Sequence, residues 1–210
     1  MPISYPLSLP MTPGIREITL RKRSVVAVST SPFTGQQQVQ AHPAQWWEAD
    51  LTLPTMRSTA AAAWEAFFGK LNGRQGTFLL GDPYRESPIG SATSLPGTPV
   101  VSGAHATHAQ GITLSGAPAL ASGYLRAGDY LQIGSGSTAR LYQSLYDADS
   151  DSSGEVDLTI WPKLRTALIG GETVVFLAPK GVFRMDDNSL EIYRQPGGLT
   201  TISFRASEAI

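Results

Sequence analysis

Trp46-Trp-Glu-Ala-Asp-Leu-Thr-Leu-Pro54 is followed, after a short break, by Ser58-Thr-Ala-Ala-Ala-Ala-Trp-Glu-Ala-Phe-Phe-Gly-Lys-Leu71. In the first segment Trp47, Ala49, Leu51 and Leu53 recur at period two, with Glu48, Asp50 and Thr52 between them. That alternation predicts a half-buried strand. In the second, Trp64, Phe67, Phe68 and Leu71 fall at i, i+3, i+4 and i+7, the apolar stripe of a helix. Ala60 to Ala63 favour helix formation, Ser58 or Thr59 is the expected N-cap, and Asn72-Gly73 can end the helix in the left-handed conformation. So aromatic a stripe needs a sheet beneath it. Gly76-Thr-Phe-Leu-Leu-Gly81 predicts the next strand, stopped at Asp82-Pro83.

Upstream, residues 1–15 hold four prolines and little periodicity and read as an arm outside the core. Glu17 to Ser29 predicts a strand interrupted by the basic triplet Arg21-Lys22-Arg23, which reads either as a guarded strand edge or as a partner-facing patch. Pro32 to Gly35 predicts a turn into a polar strand. Within Trp46-Trp47 only one ring can share the apolar face. With Trp47 inside, Trp46 points outward, to be covered by another segment or by a neighbouring subunit, where tryptophan is enriched.

Downstream, residues 84–123 are rich in Gly, Ser, Thr, Ala and Pro and nearly uncharged, with a short strand expected at Gly111 to Leu114. Strands are then expected at Tyr130–Ile133, Ala139–Tyr146, Val156–Trp161 and Thr173–Leu177, a spacing that suggests a small barrel or sandwich. Val182–Met185, Ser189–Tyr193 and Leu199–Arg205 return to the simpler alternation of the N-terminal half. The expected organisation is a body from residues 1–83 and 180–210, with 84–179 inserted as a second β domain.

The 210 residues include 16 Lys and Arg, 17 Asp and Glu, three His and no Cys. Without cysteine there is no thiol nucleophile, disulfide or thiolate-ligated metal. A net charge of −1 argues against a life of sequence-independent nucleic-acid binding, and no sequence-specific nucleic-acid partner is expected. No apolar run reaches the roughly 18 residues of a membrane span. Met1 to Gly14 has no basic residue and is broken by prolines, unlike a secretory signal. Only 16% of the chain is charged, against roughly 25% in an average domain. Burial of flanks in an assembly is one reason for such a deficit, which is deepest over residues 87–123.

Few constellations point to chemistry. Asp147, Asp149 and Asp151 alternate as calcium ligands can, but Ser152 and Leu158 stand where an EF-hand loop needs Gly and Glu, so an acidic turn is expected. His105 and His108 are spaced as H-x-x-H in a glycine-flanked loop without a nearby third ligand, and His42 reads as surface. Asp186-Asp187 lie at a turn. No nucleophile elbow, zincin motif or phosphate loop is present. No catalytic, cofactor-binding or metal-ligating residue is therefore expected. Tyr130, Tyr142, Tyr146 and Trp161 are the candidate faces for stacking on a sugar.

Ser31-Pro-Phe-Thr-Gly-Gln-Gln-Gln-Val39, Trp47-Glu-Ala-Asp-Leu-Thr-Leu-Pro54 and Ala63-Trp-Glu-Ala-Phe-Phe-Gly-Lys-Leu-Asn-Gly-Arg-Gln-Gly-Thr-Phe-Leu-Leu-Gly-Asp-Pro83 resemble minor tail proteins of long-tailed bacteriophages, and more narrowly the distal tail proteins. The motif resemblance covers residues 31–83. It implies a mainly β fold: a tail-tube-like β-sandwich with one packed α-helix, plus an inserted small β-barrel of OB-like type. It implies a structural, non-enzymatic subunit of the virion's tail tip or baseplate, in a hexameric ring joining the tail tube protein to hub or tip proteins. In such a ring Trp46, Arg21, Lys22 and Arg23 are the candidate interface residues. The alternative is a carbohydrate-binding module of a virion or cell-surface protein that recognises a host-surface glycan.

Overall fold

The structure, a computed structural model, describes residues 3–210. Its elements in chain order are β1 (Leu7–Ser8), β2 (Glu17–Thr30), β3 (Gln37–Thr52), β4 (Met56–Arg57), α1 (Ser58–Leu71), β5 (Phe78–Leu80), β6 (Val100–Val101), β7 (Gly111–Ser115), β8 (Tyr130–Ile133), β9 (Arg140–Ser144), β10 (Val156–Trp161), β11 (Val174–Val175), β12 (Gly181–Met185), β13 (Ile192–Gln195) and β14 (Leu199–Glu208). The fold is mainly β, a sandwich carrying one helix together with a small barrel.

The sandwich strands run β1-β5-β12-β14-β3-β2, with β4 and β13 pairing to β14 off that path. β14 turns the corner between the layers. Leu199 to Ile202 pair with β13 and β4, whereas Ser203 to Glu208 pair with β3 and β12. α1 lays Trp64, Phe67, Phe68 and Leu71 on this sheet against Leu51, Phe78, Phe183 and Phe204. Phe68 meets Phe204 edge to face at 4.9 Å and Phe67 meets Phe78 at 5.8 Å, so the helix is held by aromatic packing as well as burial.

Three local expectations are corrected. The helix N-cap position is Arg57, with no side-chain cap. Ser58 cannot cap because β4 pairs with β14 there, and the Ser58 amide and hydroxyl both donate to the Gly198 carbonyl. At the other end Asn72 takes the expected left-handed conformation and its N–H donates to the Phe68 carbonyl. The N-terminal arm is part of the body. β1 pairs in parallel with β5, the Tyr5 hydroxyl donates to the Lys70 carbonyl at 2.7 Å, and Trp64 Nε1 donates to the Pro13 carbonyl at 3.0 Å. Its prolines break periodicity without preventing docking. Finally, the polar strand after Gly35 and the strand at Trp46 are one element, β3, which runs through Pro43.

β11-β8-β9-β10-β7-β6 form an antiparallel sheet that nearly closes on itself. The Val100–Thr173 bridge and a 3.0 Å bond from Val101 N–H to the Glu172 carbonyl join its ends. Its core includes Ile112, Leu114, Tyr124, Leu131, Tyr142, Leu158, Ile160 and Phe176. The strands facing the sandwich serve two cores, because successive side chains point to opposite faces. On β9 Leu141 joins the sandwich core and Tyr142 the barrel core; on β10 Trp161 and Ile160 divide likewise.

The chain leaves the sandwich after β5 and re-enters at β12, and these strands are direct neighbours, Leu80 opposite Gly181. The barrel strands therefore enter and leave at one place. Gly81 makes that crossing possible: a Cβ there would lie 2.2 Å from the Pro179 carbonyl oxygen.

Candidate assembly surface

The outer face of the sandwich sheet, opposite α1, is built by the polar half of the strand alternation. β2 contributes Glu17, Thr19, Arg21 and Arg23; β3 contributes Trp46, Glu48, Asp50 and Thr52; β14 contributes Ser203, Arg205 and Ser207. These groups pair across strands, as close cross-strand neighbours do. Asp50 takes a short bond from Arg21 and lies 3.4 Å from Arg205, while Arg23 and Glu48 are 3.0 Å apart. The Arg21 hydrogen bond holds the Asp50 carboxyl below its ordinary value, and Asp50 in turn raises the Arg21 guanidinium. Trp46 is half-buried here, and its Nε1 donates to Glu48 Oε1 at 3.2 Å.

The structure thus brings Arg21, Arg23 and Trp46 together on one face and sends Lys22 to the other. Lys22 stands opposite Trp47, with Nζ 5.2 Å from the Trp161 ring centroid and 5.8 Å from that of Trp47. Burial against these rings lowers its ammonium pKa. The basic triplet is not one patch: two members are cross-strand ion pairs and the third is a cation–π lid over the sandwich–barrel junction.

Beyond Ser24 the β2–β3 pair leaves the body as a two-stranded ribbon. β2 is the terminal strand of its sheet, and from Arg21 outward it is exposed throughout. At about 3.3 Å per residue, Ser24 to Thr30 extends roughly 20 Å. The register steps from Ser24–Gln45 to Val26–Ala41, then continues through Ala27–Gln40, Val28–Val39 and Ser29–Gln38. Residues directly opposite share a face. Val26, Val28, Ala41 and Val39 therefore make an apolar face, and Ala27, Ser29, Gln40 and Gln38 a polar one. The apolar face continues that of Ile18, Leu20, Leu51 and Ala49, which lies on the core.

Two further properties mark the ribbon. From Ser24 to Gln45 the sequence has no Asp, Glu, Lys or Arg. At its tip the Ser31 hydroxyl accepts from the Phe33 and Thr34 amides, and Gly35, at φ +71°, donates to the Ser31 carbonyl at 3.0 Å. This small turn presents Phe33, which is 96% exposed. An isolated two-stranded ribbon is marginal in water, and protected edges ordinarily carry charge.

The other candidates resolve into structural roles. Asp147 accepts from Ala127 N–H and Arg126, Asp149 from Gly123 N–H, and Asp151 from Ser153 and Glu155 N–H. Those carboxylates shape a turn. His105 Nε2 lies 3.0 Å from the Ser102 carbonyl, and His108 is exposed at φ +68°. Of the four proposed stacking rings, Trp161 and Tyr142 are buried, Tyr130 is covered by Arg85 at 5.5 Å, and Tyr146 alone is exposed. Burial pushes the Tyr142 phenol up to about 12.

Sequence reasoning missed two buried carboxylates. Asp129 accepts from the amides of Ile89, Gly90 and Arg126 at 2.7, 3.0 and 2.8 Å. Glu208 accepts from the Trp47 amide and pairs with Arg165, which joins the last strand of the sandwich to the barrel. Neither carries a local motif. The ribbon did leave a signal, its charge-free run.

No protein-family model matches the chain, and no curated protein matches it.

Proposed function

We propose that this protein is a structural subunit of a bacteriophage tail tip or baseplate, forming a hexameric ring that connects the tail tube to hub or tip proteins. The observation that carries this reading is the exposed, charge-free β2–β3 ribbon, which continues the sandwich sheet with nothing beneath it among the described residues. Residues 31–83, whose motifs resemble the distal tail proteins, include the ribbon tip, its return strand and α1.

A ring subunit must meet neighbours on both flanks. A sheet with a long free edge and a low-charge extension suits that task, since interface centres are depleted of charge. The outer face of the sandwich, with its acids and bases matched, would border water. The role asks for no catalytic group.

The test is the mass of the purified full chain by size-exclusion chromatography with light scattering, and its outline in negative stain. A six-fold ring with a central channel is expected. A strict monomer at every concentration, alone and with tail tube protein, would remove the reading.

A further inference from the structure

Resting on the ring reading above, we propose that the ribbon is two-sided in function: Val26, Val28, Val39 and Ala41 pack against a second copy of this chain, while Ala27, Ser29, Gln38 and Gln40 stay in water. The occupant follows from three observations.

The first is continuity. In its body half, the even-numbered side of β2 and the odd-numbered side of β3 lie on the core beside Trp47, Ala49 and Leu51. The step from Ser24–Gln45 to Val26–Ala41 advances both strands by an even number of residues, so the same side becomes the valine side of the ribbon. The core layer runs off the end of the body uncovered, with Val28 56% and Val39 61% exposed. Covering such side chains removes apolar surface from water and so favours association.

The second is charge. A partner of either sign would be met by complementary charge, and between Ser24 and Gln45 there is none. A second copy brings an equally uncharged ribbon. Where ribbons converge in a closed ring, any charge would face its own copies, and the sequence avoids that repulsion over the whole span.

The third is the contrast between the faces. Cross-strand neighbours on the second face are Ala27–Gln40 and Ser29–Gln38, whose amides and hydroxyls are well served by water and would need partners if buried. The ribbon therefore has one side to cover and one to leave wet.

Because the chain has no cysteine, single substitutions Val28→Cys, Val39→Cys, Gln38→Cys and Gln40→Cys place unique reporters on the two faces of the full-length protein. Mass and maleimide labelling rate are measured together across protein concentration. As the oligomer forms, labelling at positions 28 and 39 is expected to slow by about tenfold or more, the effect of roughly 1.4 kcal/mol of protection, while positions 38 and 40 keep their rate. Val28→Lys should shift the mass to monomer while the circular dichroism spectrum stays that of a folded chain, with Tm no longer dependent on protein concentration, and Gln38→Lys should leave the mass unchanged. An oligomer in which positions 28 and 39 label as fast as in monomer overturns the face assignment and leaves the ring standing. A protein that remains monomeric alone and with tail tube protein, with position 28 reactive throughout, overturns both.

Discussion

Trp47 and Trp161 meet edge to face, their ring centroids 4.4 Å apart and their planes at 84°. One ring belongs to β3 of the sandwich and the other ends β10 of the barrel, so this contact joins the two cores. Around it Trp47 Nε1 donates to the Leu141 carbonyl at 3.0 Å, the Lys163 amide donates to Gln45 Oε1 at 2.9 Å, and Lys22 caps both rings.

Trp161→Ala should therefore destabilise the whole chain by about 3–5 kcal/mol, the usual cost of emptying a large aromatic site. Urea unfolding followed by circular dichroism measures it. A loss below 1 kcal/mol would show that the junction contributes little.

Arg165 and Glu208 form a pair in which the carboxylate side chain is fully buried and the guanidinium nearly so. Removing one partner strands the other, so Glu208→Leu alone should cost about 3–5 kcal/mol, whereas Arg165→Met with Glu208→Leu should recover the part owed to the stranded guanidinium and leave the cost of the unpaired Trp47 amide. Arg165 Nε and Glu208 Oε1 also lack hydrogen-bond partners among the described residues, which favours the apolar replacement further. A double-mutant cycle in urea reads both outcomes.

The Arg21 bond to Asp50 has a pH signature. The folded carboxyl sits below its ordinary value of 3.8, so the pair's stabilisation is complete above that pH and is lost as pH falls through the lower folded value. The urea midpoints of the wild type and Asp50→Asn should differ near neutrality and converge in acid. A gap that stays constant down to acid pH contradicts the assignment.

Asp129 holds three amides in a carboxylate cradle. Asp129→Ala removes the acceptor of three part-buried N–H groups, at a cost of up to about 1–3 kcal/mol for each that water does not reach. Hydrogen exchange at Ile89, Gly90 and Arg126 should accelerate far more than exchange in α1.

Strands were legible where one face meets a core and the other meets water. β8 and β10 fall at Tyr130–Ile133 and Val156–Trp161, where strands are expected, the second from the alternation of Val156, Leu158 and Ile160. The helical stripe was equally plain, since i, i+3 and i+4 spacing survives any tertiary context. The N-cap was misread because the Gly198 carbonyl beside β14 takes both the amide and the hydroxyl of Ser58, and that partner lies 140 positions downstream, beyond any local window. Asp129 and Glu208 were invisible for the same reason, with their partners Ile89 and Arg165 lying 40 and 43 residues away.

By itself the sequence determined the local periodicities, the absence of thiol chemistry, and the long uncharged stretches, all properties of neighbouring residues. Only the tertiary structure decided which side of each strand is covered. It divided Arg21 and Arg23 from Lys22, gave β9 and β10 a core on each face, and left the valine side of the ribbon bare. Period two says that two faces differ; long-range pairing says what, if anything, lies against each.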